Sequence, residues 1–338
     1  MKFIRLGELA KQIVVTDGLP GSGKTMLSPI ISSLSRVEMY YFGFEIEFFI
    51  RMFHFKKIEK DAAISLIRML TDYKLYNSMM SREVNFRDLD LSSVTRHHNY
   101  KDYLKRSKSP GDKLVPKMIK LKRPILHLAS HDLVNYSKVL LEALYPRLTY
   151  IEVVRHPIDM VNQQRLNMVD HYNNPRSIQV EFEYKNKPLP YWSSHWKEYF
   201  YKNNNVNRAI YNIYNMYKQN IKNRKILKKK LKKNYFCIPF EKFVISPEEY
   251  LKKISKVLKI KITKATIKEL KNQKIPRKNF FNTPQTKLYR RAGGSLKHIG
   301  DREGDINRKI KMFKAKGATK KNLNLLFEIS KHYEKFFL

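Results

Sequence analysis

The stretch VVTDGLPGSGKT, from Val14 to Thr25, sets the fold class expected of this chain. Two β-branched residues lead into GLPGSGKT, which satisfies the pattern G-x-x-x-x-G-K-[ST] between a short apolar strand and a helical segment. Glycines let backbone N–H groups turn around an anion, the helix N-terminus adds a positive dipole end, and Lys24 adds a mobile charge. The residues predicted to bind the nucleotide in this loop are Gly21, Ser22, Gly23, Lys24, Thr25 and Met26.

Short apolar runs elsewhere in the chain have the character of buried strands. QIVVTD, RPILHLAS, LTYIEVVR and NYFCIPF are each β-rich and followed by a loop or helix signal. Helical patterns lie between them, for example over Leu133 to Leu144 and over Pro247 to Ile260, where Ser246-Pro247 opens the helix. The alternation predicts an α/β, P-loop type three-layer fold with a central, mostly parallel sheet and helices on both faces.

Composition indicates a folded protein in a reducing compartment. Hydrophobic residues make up 42% of the 338 and aromatic residues 12%, which is enough for a buried core. A single cysteine, Cys237, excludes an internal disulfide. No stretch approaches the ~20 apolar residues of a membrane span. We therefore expect a cytoplasmic protein without a membrane span.

The chain carries a large positive charge, with 68 Lys and Arg against 30 Asp and Glu, or +38 in total. Such a charge attracts polyanions. However, the lysines occur together with abundant Asn and Ile, the pattern expected when coding sequence drifts toward A and T. The charge therefore does not favour nucleic acid as a partner, and it does not by itself identify a function.

Two further strand ends carry candidate site residues. In parallel sheets, ligands bind at the carboxyl ends of the strands. Arg155 follows LTYIEVV, where its guanidinium would either hold a second phosphate or pair with a core carboxylate. His131 follows RPILHLAS, where it would serve either as a base or as a hydrogen-bonded structural group.

Taken in order, these segments resemble the PAPS-dependent sulfotransferases, a P-loop family that transfers a sulfuryl group from 3'-phosphoadenosine-5'-phosphosulfate (PAPS) to a hydroxyl or amine and releases 3',5'-diphosphoadenosine (PAP). The resemblance runs from about residue 13 to about residue 300. The segments that carry it are GLPGSGKTML, LTYIEVVRHPIDMVNQQ, PYWSSHWKEYF with NNNVNRAIYNIY, YFCIPFEKFVISPEEYLKKISKVLKI and LYRRAGG.

The resemblance implies a donor site and metal-independent, in-line chemistry. Lys24 and the loop would take the charge of the leaving group. Arg155, with Arg290, Arg291 and Gly293 of LYRRAGG, would hold the 3'-phosphate. Two positions depart from the family pattern, since Lys24 stands at the later position of the loop, as in kinases, and Gln163 replaces the usual serine after the arginine.

The base and the acceptor are less defined. Ser130-His131 resembles the Thr-His of cytosolic family members, and Glu45 in EIEFF resembles the Glu-x-x-Phe-Phe of glycan-modifying members, so either His131 or Glu45 is the expected base. The segment from Ser81 to Arg106 is interpreted as too polar and irregular for core. Four of its side chains are expected either to line the acceptor site or to form a solvated face: Arg82, Arg87, His97 and His98.

We expect residues 1–338 to form a single domain, with about 75–110 and 170–230 as insertions on the acceptor side. The acceptor is expected to be an anionic glycan or a small hydroxylated molecule, and the charge slightly favours a sulfated, phosphorylated or carboxylated acceptor over an apolar phenol or lipid. The oligomeric state stays open.

Two other functions are compatible with the sequence. The loop also fits a P-loop kinase or NTPase that uses ATP and Mg²⁺, with Thr25 and either Asp132 or Glu241 as metal ligands. The charge also fits a polyanion-binding protein with a degenerate nucleotide fold.

Overall fold

A central parallel sheet organises the chain. The computed structural model describes residues 1–168, 178–281 and 300–338. Five parallel strands form the sheet in the order β2-β3-β1-β4-β7, and β5 and β6 form a separate antiparallel pair. The strands are β1 (Ile13–Asp17), β2 (Tyr41–Phe42), β3 (Leu126–Ala129), β4 (Leu148–Val154), β5 (Glu181–Tyr184), β6 (Lys187–Pro190) and β7 (Tyr235–Pro239).

Helices connect and cover these strands. Those of the described residues are α1 (Lys24–Ser32), α2 (Phe44–His54), α3 (Lys60–Met80), α4 (Tyr100–Ser107), α5 (Val115–Lys122), α6 (Ser137–Leu144), α7 (Pro157–Asn167), α8 (Lys197–Lys202), α9 (Asn205–Leu231), α10 (Phe240–Ile245), α11 (Pro247–Leu258), α12 (Lys264–Asn272), α13 (Arg302–Ala315) and α14 (Lys320–Phe337). The predicted helix over 133–144 begins with a 3-10 turn, Leu133–Tyr136, before α6.

Alternate residues of the central strands pack into different cores. Ile13 and Val15 of β1 lie in a cluster with residues of α2, α3 and α6. Val14, between them, lies in a second cluster with residues of α1 and α11. Because successive side chains of a strand point to opposite faces, this division places helices on both sides of the sheet. The predicted three-layer α/β fold is confirmed.

The parallel register brings the carboxyl ends of four strands to one edge. β1 lies in the middle, with Thr16 opposite Ala129 of β3 and Asp17 opposite Glu152 of β4. The loop GLPGSG follows β1, His131 follows β3 by two residues, Arg155 follows β4, and Phe240 follows β7. The candidate residues predicted at strand ends therefore share one edge of the sheet.

The polar segment from Ser81 to Arg106 is partly core, and the expectation that it is too polar for core was wrong. Arg106 and Tyr103 are buried, and both donate hydrogen bonds to the buried carboxylate of Glu38, at 2.7 and 2.6 Å. His97 is also buried, with Nε2 at 2.9 Å from the carbonyl of Ser32, the last residue of α1, and at 3.2 Å from that of Val37. Polar side chains that satisfy one another inside a fold do not need solvent.

Candidate functional site: a phosphate loop beside a cleft

The loop after β1 has the backbone shape of an anion cradle. Gly21 and Gly23 have φ of 88° and 103°, the left-handed region that favours glycine. A Cβ at position 23 would lie 2.4 Å from the ring of Phe240, so no other residue fits there without a shift. Gly23 is the N-cap of α1, and as a glycine it has no side chain to accept a capping hydrogen bond. The first N–H groups of this helix are therefore available to an anion.

Lys24 lies at this helix start with an ammonium group that has no partner among the described residues. Only 5% of the residue is exposed. Burial lowers the pKa of Lys24, and the nearby carboxyl groups of Asp17, Glu47 and Asp132 act in the opposite direction. The buried Ser22 Oγ also lacks a hydrogen-bond partner in the described part of the chain. Both groups are suited to donate hydrogen bonds to a bound anion.

A pair of arginines flanks the ring of Phe240 beside the loop. The guanidinium of Arg155 lies 4.3 Å from the ring centroid and that of Arg277 lies 5.6 Å from it. Arg155 also donates to the carbonyl of Gly21 at 3.0 Å. Burial and the neighbouring Arg155 lower the pKa of Arg277 to about 10.

These arginines have unused donors. Among the described residues, the buried Nε of Arg155 and Nη1 of Arg277 have no hydrogen-bond partner, and neither guanidinium forms an ion pair with a carboxylate there. Buried charges are normally paired, because leaving water costs free energy. Two close cations that form no ion pair with a described carboxylate therefore form a candidate second anion site next to the loop. The buried carboxylate of Asp159 acts electrostatically on Arg155, but its ion pairs are with Arg302 and Lys309.

The remaining residues predicted to bind the nucleotide lie at different distances from this site. Met26 contacts Arg277, with Sδ 3.8 Å from Nη2. Gln163 passes close to the loop, since a Cβ on Gly21 would lie 3.3 Å from the Cβ of Gln163. Its side chain donates to Asn167 at 3.0 Å. Arg290, Arg291 and Gly293 lie outside the described residues.

A cleft of about 290 Å³ lies beside the loop. Leu19 and Pro20 of the loop form part of its wall. Its lining also includes His131 after β3 and Glu47 on α2. The loop therefore contacts Arg155 and also forms part of the wall of a cavity that contains ionisable groups.

A network of buried polar groups forms one end of this cleft. Glu47 Oε1 accepts the backbone N–H of His131 at 3.0 Å and lies 3.2 Å from Nδ1 of the same residue. Arg51 donates to Glu47 at 2.8 Å and to Asp132 at 3.1 Å, with its guanidinium 4.2 Å from the ring centroid of Tyr191. The hydroxyl of Tyr191 lies 3.0 Å from both oxygens of Asp132.

The buried environment shifts the pKa values of the ionisable groups in this network. Burial raises the pKa of Glu47 to about 7, against the opposing effects of Arg51 and the His131 N–H. Burial also raises the pKa of Asp132 to about 6. Burial and the positive charge of Lys24 lower the pKa of His131 to about 3. His131 is thus neutral at pH 7, which is the form that accepts a proton.

No protein-family model and no curated protein sequence matches the chain. Solved structures give weak matches. The sulfotransferase domain from the Synechococcus PCC 7002 olefin synthase is 13% identical with a TM-score of 0.42, over 93% of this chain and 98% of that one. The sulfotransferase domain from the curacin biosynthetic pathway is also 13% identical, with a TM-score of 0.43 over 90% and 97%. Mouse sulfotransferase SULT7A1 complexed with PAP is 13% identical, with a TM-score of 0.40 over 99% and 90%. Because these TM-scores lie below 0.5, we draw no conclusion about this chain from them.

The carboxylates expected from the sequence lie elsewhere or are already occupied. Glu45 forms an ion pair with Lys74 at 2.7 Å, its side chain is 46% exposed, and it is absent from the cleft lining among the described residues. Glu47, two residues further along α2 and not predicted as a site residue, contacts His131 instead. Residues two apart on a helix face different ways. A clue lay in the sequence, since Arg51 stands four residues after Glu47.

The acids considered as metal ligands are used by the fold. Asp132 is held by Arg51 and Tyr191, and Glu241 accepts the His156 N–H at 2.9 Å and the Tyr333 hydroxyl at 2.5 Å. Over residues 1–168, 178–281 and 300–338, no group of three or more His, Cys, Asp or Glu side chains is placed to hold a metal ion. In the same ranges, no helix combines the length and apolar character needed to cross a bilayer.

Proposed function

We propose that the chain is a sulfotransferase that moves a sulfuryl group from PAPS to a hydroxyl or amine. The observation that carries the proposal is the pairing of two cationic sites: the loop with Lys24, and the arginine pair Arg155 and Arg277 beside it. PAPS has anionic groups at both its 5' and 3' positions. ATP has no phosphate at the 3' position, so the second cationic site would have no use.

The residues present fit this donor. The loop N–H groups, the unpartnered Ser22 Oγ and the ammonium of Lys24 would hold the 5' end. The unused Nε of Arg155 and Nη1 of Arg277 would hold the 3'-phosphate. The family resemblance adds Arg290, Arg291 and Gly293 to that phosphate. When bound, PAPS supplies a sulfuryl group on a phosphosulfate linkage.

His131 is the proposed base. The contact between Nδ1 and Glu47 orients the imidazole, and with the proton on Nδ1 the lone pair of Nε2 is available to the cleft. Nε2 would accept the proton of the acceptor hydroxyl. Lys24 would stabilise the negative charge that develops on the leaving phosphate, as in other group transfers to oxygen. Glu47 is a positioning residue in this scheme.

The intact G-x-x-x-x-G-K-T pattern favours one competing function, a kinase or NTPase that uses ATP and Mg²⁺. Such an enzyme usually needs a strand-end acid as well as Thr25 to hold the metal. Asp132 and Glu241 would have to leave Arg51, Tyr191 and Tyr333 to take that role. This requirement makes the kinase the second candidate.

Calorimetric titration separates the two chemistries. The protein is titrated with PAP in the presence of a chelator, and separately with ATP plus Mg²⁺. We expect metal-independent binding of PAP and weaker binding of ATP. Lys24→Ala serves as a control and should weaken both, since the loop is common to the two nucleotides. Tight, Mg²⁺-dependent ATP binding with no response to PAP would overturn the sulfotransferase proposal.

A further inference from the structure

The cleft beside the loop has a lining that contrasts with the charge of the chain. The whole chain carries +38, but the described lining contains no lysine and one arginine, Arg51. Arg51 is already paired with both Glu47 and Asp132. The described part of the cleft therefore offers no free cation to a carboxylate, sulfate or phosphate on a ligand.

Flat and apolar side chains form much of the wall. Phe44, Tyr191 and Trp192 contribute aromatic rings, and Met168 and Met216 contribute thioethers. The ring of Phe44 stacks on the imidazole of His131 with centroids 5.8 Å apart and an interplanar angle of 10°. Aromatic and apolar walls of this kind bind rings and hydrocarbon by burying their surface.

The same wall contains uncharged polar side chains, the carboxamides of Asn212 and Gln164. Asn212 donates to Gln164 at 3.0 Å, and Gln164 donates to the carbonyl of Pro20 at 3.3 Å, so a chain of amides runs from α9 to the loop. Asn212 is only 7% exposed, and its Oδ1 has no partner among the described residues. An unsatisfied buried acceptor costs free energy, which a hydroxyl or amine donor from a ligand would recover.

We infer that the acceptor is a small, uncharged molecule with a ring or hydrocarbon body, which presents one hydroxyl to His131 and a second hydrogen-bond donor to Asn212. This inference rests on the proposed function and names its acceptor class. The volume of about 290 Å³ lies just below the usual range of small-molecule sites, roughly 300–1,000 Å³. The cleft thus fits one such molecule, whereas the anionic glycan favoured by net charge would meet the carboxylates of Glu47 and Asp132 without a free cation.

Matched para-substituted phenols test the acceptor class. The probes are 4-methylphenol, 4-(hydroxymethyl)phenol, 4-hydroxybenzoate and 4-hydroxyphenyl phosphate. Binding is followed by the fluorescence of Trp192, with Trp192→Phe separating its signal from that of Trp196, the other tryptophan of the chain. Turnover with PAPS is measured in parallel. We expect the neutral phenols to bind at least tenfold more tightly than the anionic ones, and Asn212→Leu to remove the advantage of the second hydroxyl.

A charge placed in the cleft provides a control that does not depend on Asn212. Asn167 is exposed on α7 and lines the cleft, whereas Gln219 is exposed on α9 outside the described lining. Asn167→Lys should improve 4-hydroxybenzoate binding about tenfold, and Gln219→Lys, which adds the same charge to the chain, should not. Equal effects of the two would assign the gain to net charge and overturn the inference about the cleft.

The outcomes separate this inference from the proposed function. If PAP binds without metal but the anionic phenols bind the wild type as tightly as the neutral ones, the acceptor class is wrong and the donor assignment stands. If PAP does not bind but the neutral phenols still quench Trp192 selectively, the donor assignment is wrong and the character of the cleft stands. Failure of every neutral phenol to bind would overturn the acceptor class.

Discussion

Oε1 of Glu47 lies 3.2 Å from Nδ1 of His131 and also accepts the backbone N–H of that residue at 3.0 Å. One carboxylate oxygen thus fixes both the backbone and the ring of the proposed base. The state of Glu47 then determines which ring nitrogen carries the proton. An ionised Glu47 accepts from Nδ1–H and leaves Nε2 free, whereas a protonated Glu47 donates to Nδ1 and leaves the proton on Nε2.

The first prediction concerns pH. Burial raises the pKa of Glu47 to about 7, so the ionised form falls about tenfold per pH unit below that value. The pKa of His131 is far lower, at about 3, so its protonation does not cause the change in activity near pH 7. We expect kcat/KM to rise with pH up to about 7 and then level off. The measurement is the pH profile of kcat/KM with a neutral phenol as acceptor.

Glu47→Gln gives this prediction its control. Glutamine cannot ionise, so the rise of kcat/KM up to pH 7 should disappear. The value of kcat/KM itself should be lower than in the wild type. Glu303→Gln, an exposed change on α13, should keep the wild-type profile. A limb near pH 7 that persists in Glu47→Gln would show that another group controls the activity.

The second prediction concerns His131. If His131 takes the acceptor proton, His131→Ala should lower kcat by about 10² while PAP affinity stays nearly constant, because a general base acts in the transition state. PAP titration of the same preparation also verifies that the site is folded. His195→Ala, at an exposed position, is the matched control. Unimpaired turnover in His131→Ala would remove His131 from the mechanism and leave Glu45 and Glu47 to be tested.

The fold was largely predictable, because buried parallel strands are continuous apolar runs. All four predicted strands are present as β1, β3, β4 and β7. Strand β2 was not predicted, since Tyr41–Phe42 has two residues, both half-buried, and a pattern that short cannot be recognised. The prediction for the segment from Ser81 to Arg106 was wrong for another reason: Tyr103 and Arg106 are buried through contacts with Glu38, more than 40 residues earlier in the chain.

The site was predictable only where its residues stand in local motifs. The loop around Lys24 and the strand-end residue Arg155 are readable from neighbouring residues. Arg277 lies in a stretch after α12 with no motif, and it meets Arg155 only through tertiary packing, in which both guanidinium groups contact Phe240. The difference between Glu45 and Glu47 depends on which side of α2 faces the sheet. Tertiary packing decides the position of Arg277 and the choice between Glu45 and Glu47, and no local sequence motif reveals that packing.

The third prediction concerns Gly23. Its φ of 103° disfavours a side chain, and a Cβ would lie 2.4 Å from the Phe240 ring. We expect Gly23→Ala to lower the free energy of unfolding by about 1–3 kcal/mol and to weaken PAP binding, because the loop must shift. Urea unfolding and PAP titration measure the two effects. Gly304→Ala, in α13 without a positive φ, should instead stay within about 1 kcal/mol of the wild type. Normal PAP affinity in Gly23→Ala would show that the loop backbone does not hold the nucleotide.

The last prediction concerns the arginine pair. If Arg155 and Arg277 hold a 3'-phosphate, then Arg155→Ala and Arg277→Ala should each weaken PAP binding by about 1.5–3 kcal/mol, the value of a hydrogen bond to a charged group. The affinity of the same variants for AMP, which lacks that phosphate, should fall much less. The double variant should bind PAP and AMP with similar affinity.

Arg165→Ala is the matched control, because Arg165 lies on α7 and donates to Asn162 rather than to the loop. Since Arg155 also donates to the Gly21 carbonyl, the free energy of unfolding is measured for each variant. Equal losses for PAP and AMP would show that the arginines support the loop and do not bind the 3'-phosphate.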